Sequence, residues 1–376
     1  MRHKLDHEAR LDWLQLIRTP SIGPITFDRL LSRFGDAGAA LKALPELARQ
    51  AGRKGAKPPP RADIEEEFRR AEMHGARLIA ACEPEYPQAL RAIAGYPPVI
   101  YTRGHTSLFQ HPAVAIIGAR NASAAGRKIA RTLAADLGEA GVMVTSGLAR
   151  GIDGAAHEGA LASGTIAVVA GGVDVIYPPE HDRLTAEIAE RGLIVSECPM
   201  GKKPTARDFP KRNRLISGLS RGVVVVEAGA KSGTLLTVDF ANEQGREVFA
   251  VPGSPLDARS KTTNQLIRDG ATLVDCADDV LRALASQTRG ADEPGDDSFA
   301  WDAPPADDAE LYASENAAKL RETVLSLLSY TPMHRDDILR EAGAGPGLVA
   351  DALMELVIAG DASEHPGGRF SLPDPD

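Results

Sequence analysis

The chain has 376 residues, a formal net charge of −9 and 43% apolar residues, which sets the expectation of two or three globular domains. No apolar run reaches membrane-spanning length, and the charged start MRHKLDHEAR does not read as a signal peptide. Three scattered cysteines, Cys82, Cys198 and Cys276, exclude a disulfide or metal framework and are expected as buried reduced thiols of a cytoplasmic protein.

In chain order, residues 5–50 carry helical periodicity: Leu11, Leu14 and Ile17, then Leu30, Leu31 and Phe34, with the breaker Pro20-Ser-Ile-Gly-Pro24 between them. The stretch Ser21–Leu31 resembles a helix-hairpin-helix or SAM-like module, in which a glycine turn exposes backbone N–H groups to phosphate; a small packing domain is the plainer reading. The stretch AGRKGAKPPP at 51–60 has the composition of a linker, and a helix over 61–74 follows. Short strands are expected at Arg77–Ala80 and Val99–Tyr101, around the Glu85-Tyr-Pro87 turn.

From 113 to 275, apolar runs alternate with helical stretches. The strands expected are Ala113–Gly118, Val142–Ser146, Thr165–Ala170, Leu193–Ser196, Gly222–Glu227, Glu247–Val251 and Thr272–Asp275. Runs apolar throughout suit strands buried on both faces, and the alternation implies an α/β fold with a doubly wound parallel sheet. Ligands of such sheets bind at the carboxyl ends of the strands.

Residues 286–315 hold nine acids and one arginine, a composition that predicts a flexible linker. This segment carries −8 of the −9, leaving −1 for the rest. Residues 316–371 outline a winged helix: one helix around Leu320, Val324, Leu327 and Leu328, a second at His334–Arg340, a third at Gly347–Ala359 and a hairpin at Gly367–Leu372. The third helix has Asp351 and Glu355 and no Lys or Arg, which suits a protein contact better than a major groove and weighs against a transcription factor.

The chemistry concentrates in residues 200–221, expected as a loop. Seven bases (Lys202, Lys203, Arg207, Lys211, Arg212, Arg214, Arg221) stand against Asp208, with Phe209 among them. A basic loop at strand ends with an aromatic inside suits a phosphate backbone and an unstacked base; a solvated basic surface is the bland alternative. Three further strand-end turns shift the balance: Ile116–Arg120, Ser146–Asp153 and Glu227–Thr234. The second offers backbone amides and a helix N-terminus as an anion nest. Asp153 is expected to cap or brace that nest, and His157 to be a hydrogen-bonded packing residue, because one His and one Asp do not make a metal site. The segment Gly229–Thr234 is not a Walker A loop and no G-x-G-x-x-G follows the first core strand, so ATP hydrolysis and dinucleotide chemistry are disfavoured.

Read in series, Gly118-Ala-Arg120, Ser146–His157, Gly172–Pro178, Phe209-Pro-Lys-Arg-Asn-Arg214, Ser232-Gly-Thr234 and Val251-Pro-Gly253 resemble the DNA-processing protein A family (DprA/Smf) over roughly residues 76–275. Ala119 stands where the family often has Ser, and Thr262-Thr-Asn264 where Gly-x-Asn is usual. The resemblance implies an extended Rossmann-like, mostly parallel sheet at 76–285. This lies between an N-terminal helical module at 1–75 and, after the 286–315 linker, a C-terminal winged helix at 316–376. It implies a non-enzymatic, cofactor-free, homodimeric protein that binds single-stranded DNA, protects it and helps load RecA recombinase during natural transformation. Its DNA-binding positions map to Arg120, Ser146, Gly147, Lys202, Lys203, Phe209, Arg212, Asn213, Arg214, Ser232, Gly233 and Thr234. The rival is a nucleotide hydrolase resembling the lysine-decarboxylase-like phosphoribohydrolases; here paired glycines are lacking near Gly233-Thr234, and Thr237 stands where their motif needs a glutamate.

Overall fold

The computed structural model describes residues 3–50, 57–229, 232–290, 315–365 and 367–373. The helices α1 (His7–Arg18), α2 (Pro24–Phe34) and α3 (Ala37–Gln50) come first, then α4 (Arg61–Met73). Each start has a local cause: the Asp6 carboxylate accepts the Ala9 amide, and Pro24 opens α2 at a position that needs no N–H donor. Leu11, Leu14, Leu16, Phe27 and Leu30 are fully buried, and Trp13 meets Phe27 edge-on at 5.0 Å.

The core then runs β1 (Ala76–Ala80), α5 (Gln88–Arg91), β2 (Val99–Gly104), β3 (Ala113–Ile117), α6 (Ala124–Glu139), β4 (Met143–Ser146), α7 (Ile152–Ala160), β5 (Thr165–Val168), α8 (Asp182–Arg191), β6 (Leu193–Ser196), α9 (Asp208–Gly218), β7 (Gly222–Val225), α10 (Thr234–Glu243), β8 (Glu247–Ala250), α11 (Lys261–Arg268), β9 (Thr272–Leu273) and α12 (Ala277–Gly290). The nine strands form one sheet in the order β1-β2-β6-β5-β4-β3-β7-β8-β9. All pairings from β6 to β9 are parallel, while β2 runs antiparallel to both β1 and β6. Val114, Ile116, Val144, Val224 and Phe249 share a core with α6, α7 and α12. The alternate residues Ala115, Ile117, Val223 and Val225 are as deeply buried, as continuous apolar runs require. Successive crossovers leave β3 for β4 on one side, and the chain later returns to β7 on the other. The carboxyl end of β3 is therefore the switch point where a doubly wound sheet opens a crevice.

The last elements are α13 (Glu315–Leu327), β10 (Met333–His334), α14 (Arg335–Ala342), α15 (Pro346–Ala359), β11 (Ser363–His365) and β12 (Arg369–Ser371). They make a winged helix with its own core around Val324, Ile338, Leu353, Leu356 and Phe370, and a sheet ordered β10-β12-β11. Two compact units result: Met1–Lys4 with Glu66–Glu293, and Leu5–Glu65 with Pro294–Asp376, so the two end modules share the second. No single described helix is long and apolar enough to cross a membrane.

Three sequence expectations change. The basic stretch 200–221 is not one loop, because α9 occupies half of it; Asp208, its first residue, accepts the amide and hydroxyl of Thr205 and so ties the preceding turn to the helix start. None of the cysteines is fully buried: Cys82 and Cys198 are half-buried and Cys276 is exposed. α12 runs on to Gly290, where a linker was expected from 286; residues 291–314 of that acidic segment lie outside the described residues, as do 51–56 of the first linker.

Candidate nucleic-acid interface

The crevice is assembled from the turns after β3 and β4, the chain after β5, and the first two turns of α9. After β3, Gly118 lets two backbones approach: a β-carbon there would lie 2.7 Å from Ile152 Cγ1 and 2.8 Å from the Glu227 carbonyl. The Ala119 amide donates to that carbonyl at 2.7 Å, which fixes the turn and sends exposed Arg120 over the strand ends. The Glu227 carboxylate accepts the Ser123 hydroxyl at 2.5 Å and amide at 2.9 Å, anchoring the start of α6.

After β4 the chain turns through Leu148, buried despite a φ of +55°, and Gly151, φ +80°. A left-handed leucine is strained, and such strain persists only where surrounding contacts hold it. Part of the holding comes from Asp153, whose Oδ2 accepts the Gly147 amide at 3.1 Å and the Ala149 amide at 3.3 Å. Asp153 thus braces the turn, and in doing so fills the amides that were expected to face a ligand. Burial raises its carboxyl above the ordinary value, partly offset by attraction to Arg212. His157 donates from Nδ1 to Thr165 Oγ1 at 2.8 Å, since that hydroxyl gives its own proton to the Val144 carbonyl. Burial, with His181 and Arg212 nearby, pushes the imidazole down to about 3, so it is a neutral packing residue.

From α9 come Phe209 and Arg212. The Arg212 guanidinium is buried, reaches the Val168 carbonyl at 3.2 Å, and has no partner for Nε among the described residues. Burial depresses it to about 10, against the pull of Asp153, so it stays charged at neutral pH. Phe209 is the centre of the site. Arg120 lies 5.1 Å from its ring centroid, Arg212 5.9 Å, and the Tyr177 ring 5.7 Å at 53°. The crevice walls are completed by Leu148, Arg150, Gly171, Val175 and Pro204.

The other expected site residues are dispersed. The Ser146 hydroxyl is buried and turned to the Ile116 carbonyl at 2.7 Å. Lys202 pairs with Asp208; burial opposes the Asp208 charge, but hydrogen bonds from Lys202 and Thr205 prevail and hold it below the usual carboxylate range. Lys203 is exposed. Arg214 does not line the crevice: its guanidinium is buried against Glu197 and the Gly95 carbonyl, the latter at 2.9 Å. Asn213 donates to the Gly233 carbonyl at 3.3 Å, tying α9 to the turn before α10. In that turn the Ser232 hydroxyl donates to Thr234 Oγ1 at 2.8 Å; residues 230 and 231 lie outside the described residues. Tyr177, Leu148 and Arg150 also line the crevice and are not among the mapped positions; the signals for them are the Tyr177-Pro178 pair closing the Gly172–Pro178 segment and the Ser146–Asp153 turn that holds the other two.

Fold and site together define a class: a Rossmann-like α/β protein with a cationic, aromatic crevice at the sheet's switch point, flanked by helical and winged-helix modules. A family model described as DNA recombination-mediator protein A matches residues 77–285. Models of a DprA-like N-terminal HHH domain and a DprA winged helix domain match residues 7–70 and 303–368. The chain belongs to the DNA recombination-mediator protein A (DprA/Smf) family. It is 38% identical to Protein Smf of Escherichia coli over 316 residues, 83% of this chain and 82% of that one. It is 44% identical to DNA processing protein DprA of Streptococcus pneumoniae over 198 residues, 52% of this chain and 70% of that one. The X-ray structure of the S. pneumoniae protein superposes with a TM-score of 0.61 at 30% identity, covering 74% of this chain and 98% of the other. A Helicobacter pylori DNA processing protein A, solved to describe its single-stranded DNA binding mode, gives a TM-score of 0.52 at 30% identity, covering 56% and 96%.

Proposed function

We propose that the crevice binds single-stranded DNA with little sequence preference, and that the protein works as a non-enzymatic homodimer that protects such DNA and helps load RecA recombinase. The observation that carries this reading is Phe209, held among two guanidinium groups and the Tyr177 ring at the switch point. A ring of this kind offers a stacking platform to an unpaired base, and exposed Arg120, Arg150 and Lys203 supply charge for the phosphates. The single-strand binding described for the H. pylori relative supports the same assignment.

The structural duties of two acids support the absence of turnover: Asp153 accepts two amides of its turn beside Arg212, and Glu227 anchors Ser123 at the start of α6. In the position where the rival hydrolases need a glutamate, Thr237 is buried in α10.

The test is titration with labelled single-stranded and duplex oligonucleotides at several salt concentrations, followed by incubation with ATP and nucleoside monophosphates. Tighter single-strand binding, a negative salt slope and no release of phosphate or base are expected. Equal affinity for duplex, or release abolished by changing Asp153 or Glu227, would overturn the reading.

A further inference from the structure

Within the second compact unit, the winged helix meets the N-terminal helices through α15, and α15 is apolar on two sides. Eight of its 14 residues are buried. Val349, Leu353, Leu356 and Val357 belong to the winged-helix core. Met354 and Ile358, one helical turn apart, are buried as well but stand outside that core, where α15 packs on α3. Ala350, one turn before Met354, extends this second stripe, and its carbonyl accepts Arg29 Nη1 of α2 at 2.6 Å. A helix apolar on more than one side is a core helix, because each stripe needs its own cover to leave water. One cover is the winged helix; the other is the N-terminal module.

α15 is also the third helix of the winged helix, the one that such modules lay in a DNA groove. With both apolar stripes covered, the side left toward solvent carries Leu348, Asp351 and Glu355, and no lysine or arginine stands anywhere on the helix. A face of that sign repels phosphate. The N-terminal module is closed by the same contact. The glycine turn at Gly23, where a helix-hairpin-helix module would present amides to phosphate, lies against wing strand β11. A β-carbon on Gly23 would stand 3.2 Å from Glu364 Oε2, and the Thr26 hydroxyl donates to that oxygen at 3.2 Å. A phosphate approaching this turn would have to displace a carboxylate of the chain itself.

We propose that the two ends of the chain are each other's permanent partner: helices α1–α3 and the winged helix fold as one clasp around α15, and each covers the element by which the other would engage nucleic acid. This goes beyond the single-strand reading, because it involves no crevice residue and leaves duplex DNA no site on the end modules.

The test keeps the full chain. A protease site between Gly-Ser spacers is placed within residues 291–314 and cut, which removes the tether that would hold even a weak contact closed. The native mixture is then run on a sizing column at micromolar concentration, at low salt and at about 1 M, where screening reduces charge interactions to within about 3 Å. The two pieces should elute together at both salts, because an apolar seam does not depend on charge. A duplex oligonucleotide added to the cut chain should leave them together. Met354→Asp combined with Ile358→Asp should release the C-terminal piece; melting curves show whether this variant folds, and should it fail to, the wild-type elution decides. Separation of the wild-type pieces, at either salt or on adding duplex, or a folded variant whose pieces stay joined, would overturn the clasp.

Discussion

Arg212 packs on Gly147 so closely that a β-carbon at Gly147 would stand 1.5 Å from Arg212 Nη1 and 2.7 Å from Asp153 Oδ2. The glycine at the end of β4 is thus the floor on which the buried guanidinium rests. Arg212 in turn lies 5.9 Å from the Phe209 ring centroid.

Gly147→Ala is therefore expected to displace Arg212 and lose about 1–3 kcal/mol of stability, as overpacking of a filled core does. Single-strand affinity should fall with it. Thermal denaturation and oligonucleotide titration check both; a variant that melts and binds like the wild type would show that Arg212 can move freely.

The two arginines of α9 should behave differently, because only Arg212 lines the crevice. Arg214→Ala breaks its ion pair with Glu197 and its bond to the Gly95 carbonyl, at a cost of about 3 kcal/mol, the low end for a broken buried pair because the glutamate keeps some contact with water. Its slope of log K against log salt should match the wild type. Arg120→Ala should do the reverse, leaving melting unchanged and reducing the magnitude of the slope by about 0.7.

Phe209→Ala removes the ring shared by Arg120, Arg212 and Tyr177. A stacked base is worth about 1–3 kcal/mol, so affinity should drop by that amount while the salt slope stays constant. A change of slope with no loss of affinity at low salt would make Phe209 an organiser of charge and not a platform.

His157 gives a pH signature. Its folded value of about 3 lies below the usual 6.5, so the unfolded chain takes up a proton that the folded chain refuses. The stabilisation is complete above pH 6.5 and is lost as pH falls toward 3, by about 1.4 kcal/mol per unit and at most about 5 kcal/mol. Denaturant unfolding at pH 7, 6 and 5 should show a shallower dependence in His157→Gln than in the wild type, whatever their absolute stabilities.

Truncation locates the end of the DNA-binding unit. Val280 and Leu284 of α12 are buried in the sheet core with Val114 and Phe249. A chain ending at residue 290 should keep its single-strand affinity, whereas one ending at 276 should lose cooperative melting. Loss of binding in a folded chain ending at 290 would move the site out of the crevice.

By itself the sequence determined what depends on neighbours along the chain. Runs such as Val223–Val226 are strands because they are apolar on both faces, and Ser123, Asp6 and Pro24 start helices by satisfying or avoiding the first free amides. It also placed Arg120, Gly147, Phe209 and Arg212 near one another, since turns after parallel strands gather at one edge of the sheet. Only the tertiary structure decided their roles, because burial and the geometry of the folded turns settle which partner each charge takes. Arg214 was drawn to Glu197, 17 residues before it, and Lys202 to Asp208. Asp153 took the amides of Gly147 and Ala149 because an acid buried beside Arg212 needs every donor within reach. The antiparallel β1–β2 pair joined the sheet beside β6 through register that no local pattern encodes. A basic cluster counted along the chain is a sum of charges; burial and pairing decide which of them still face water.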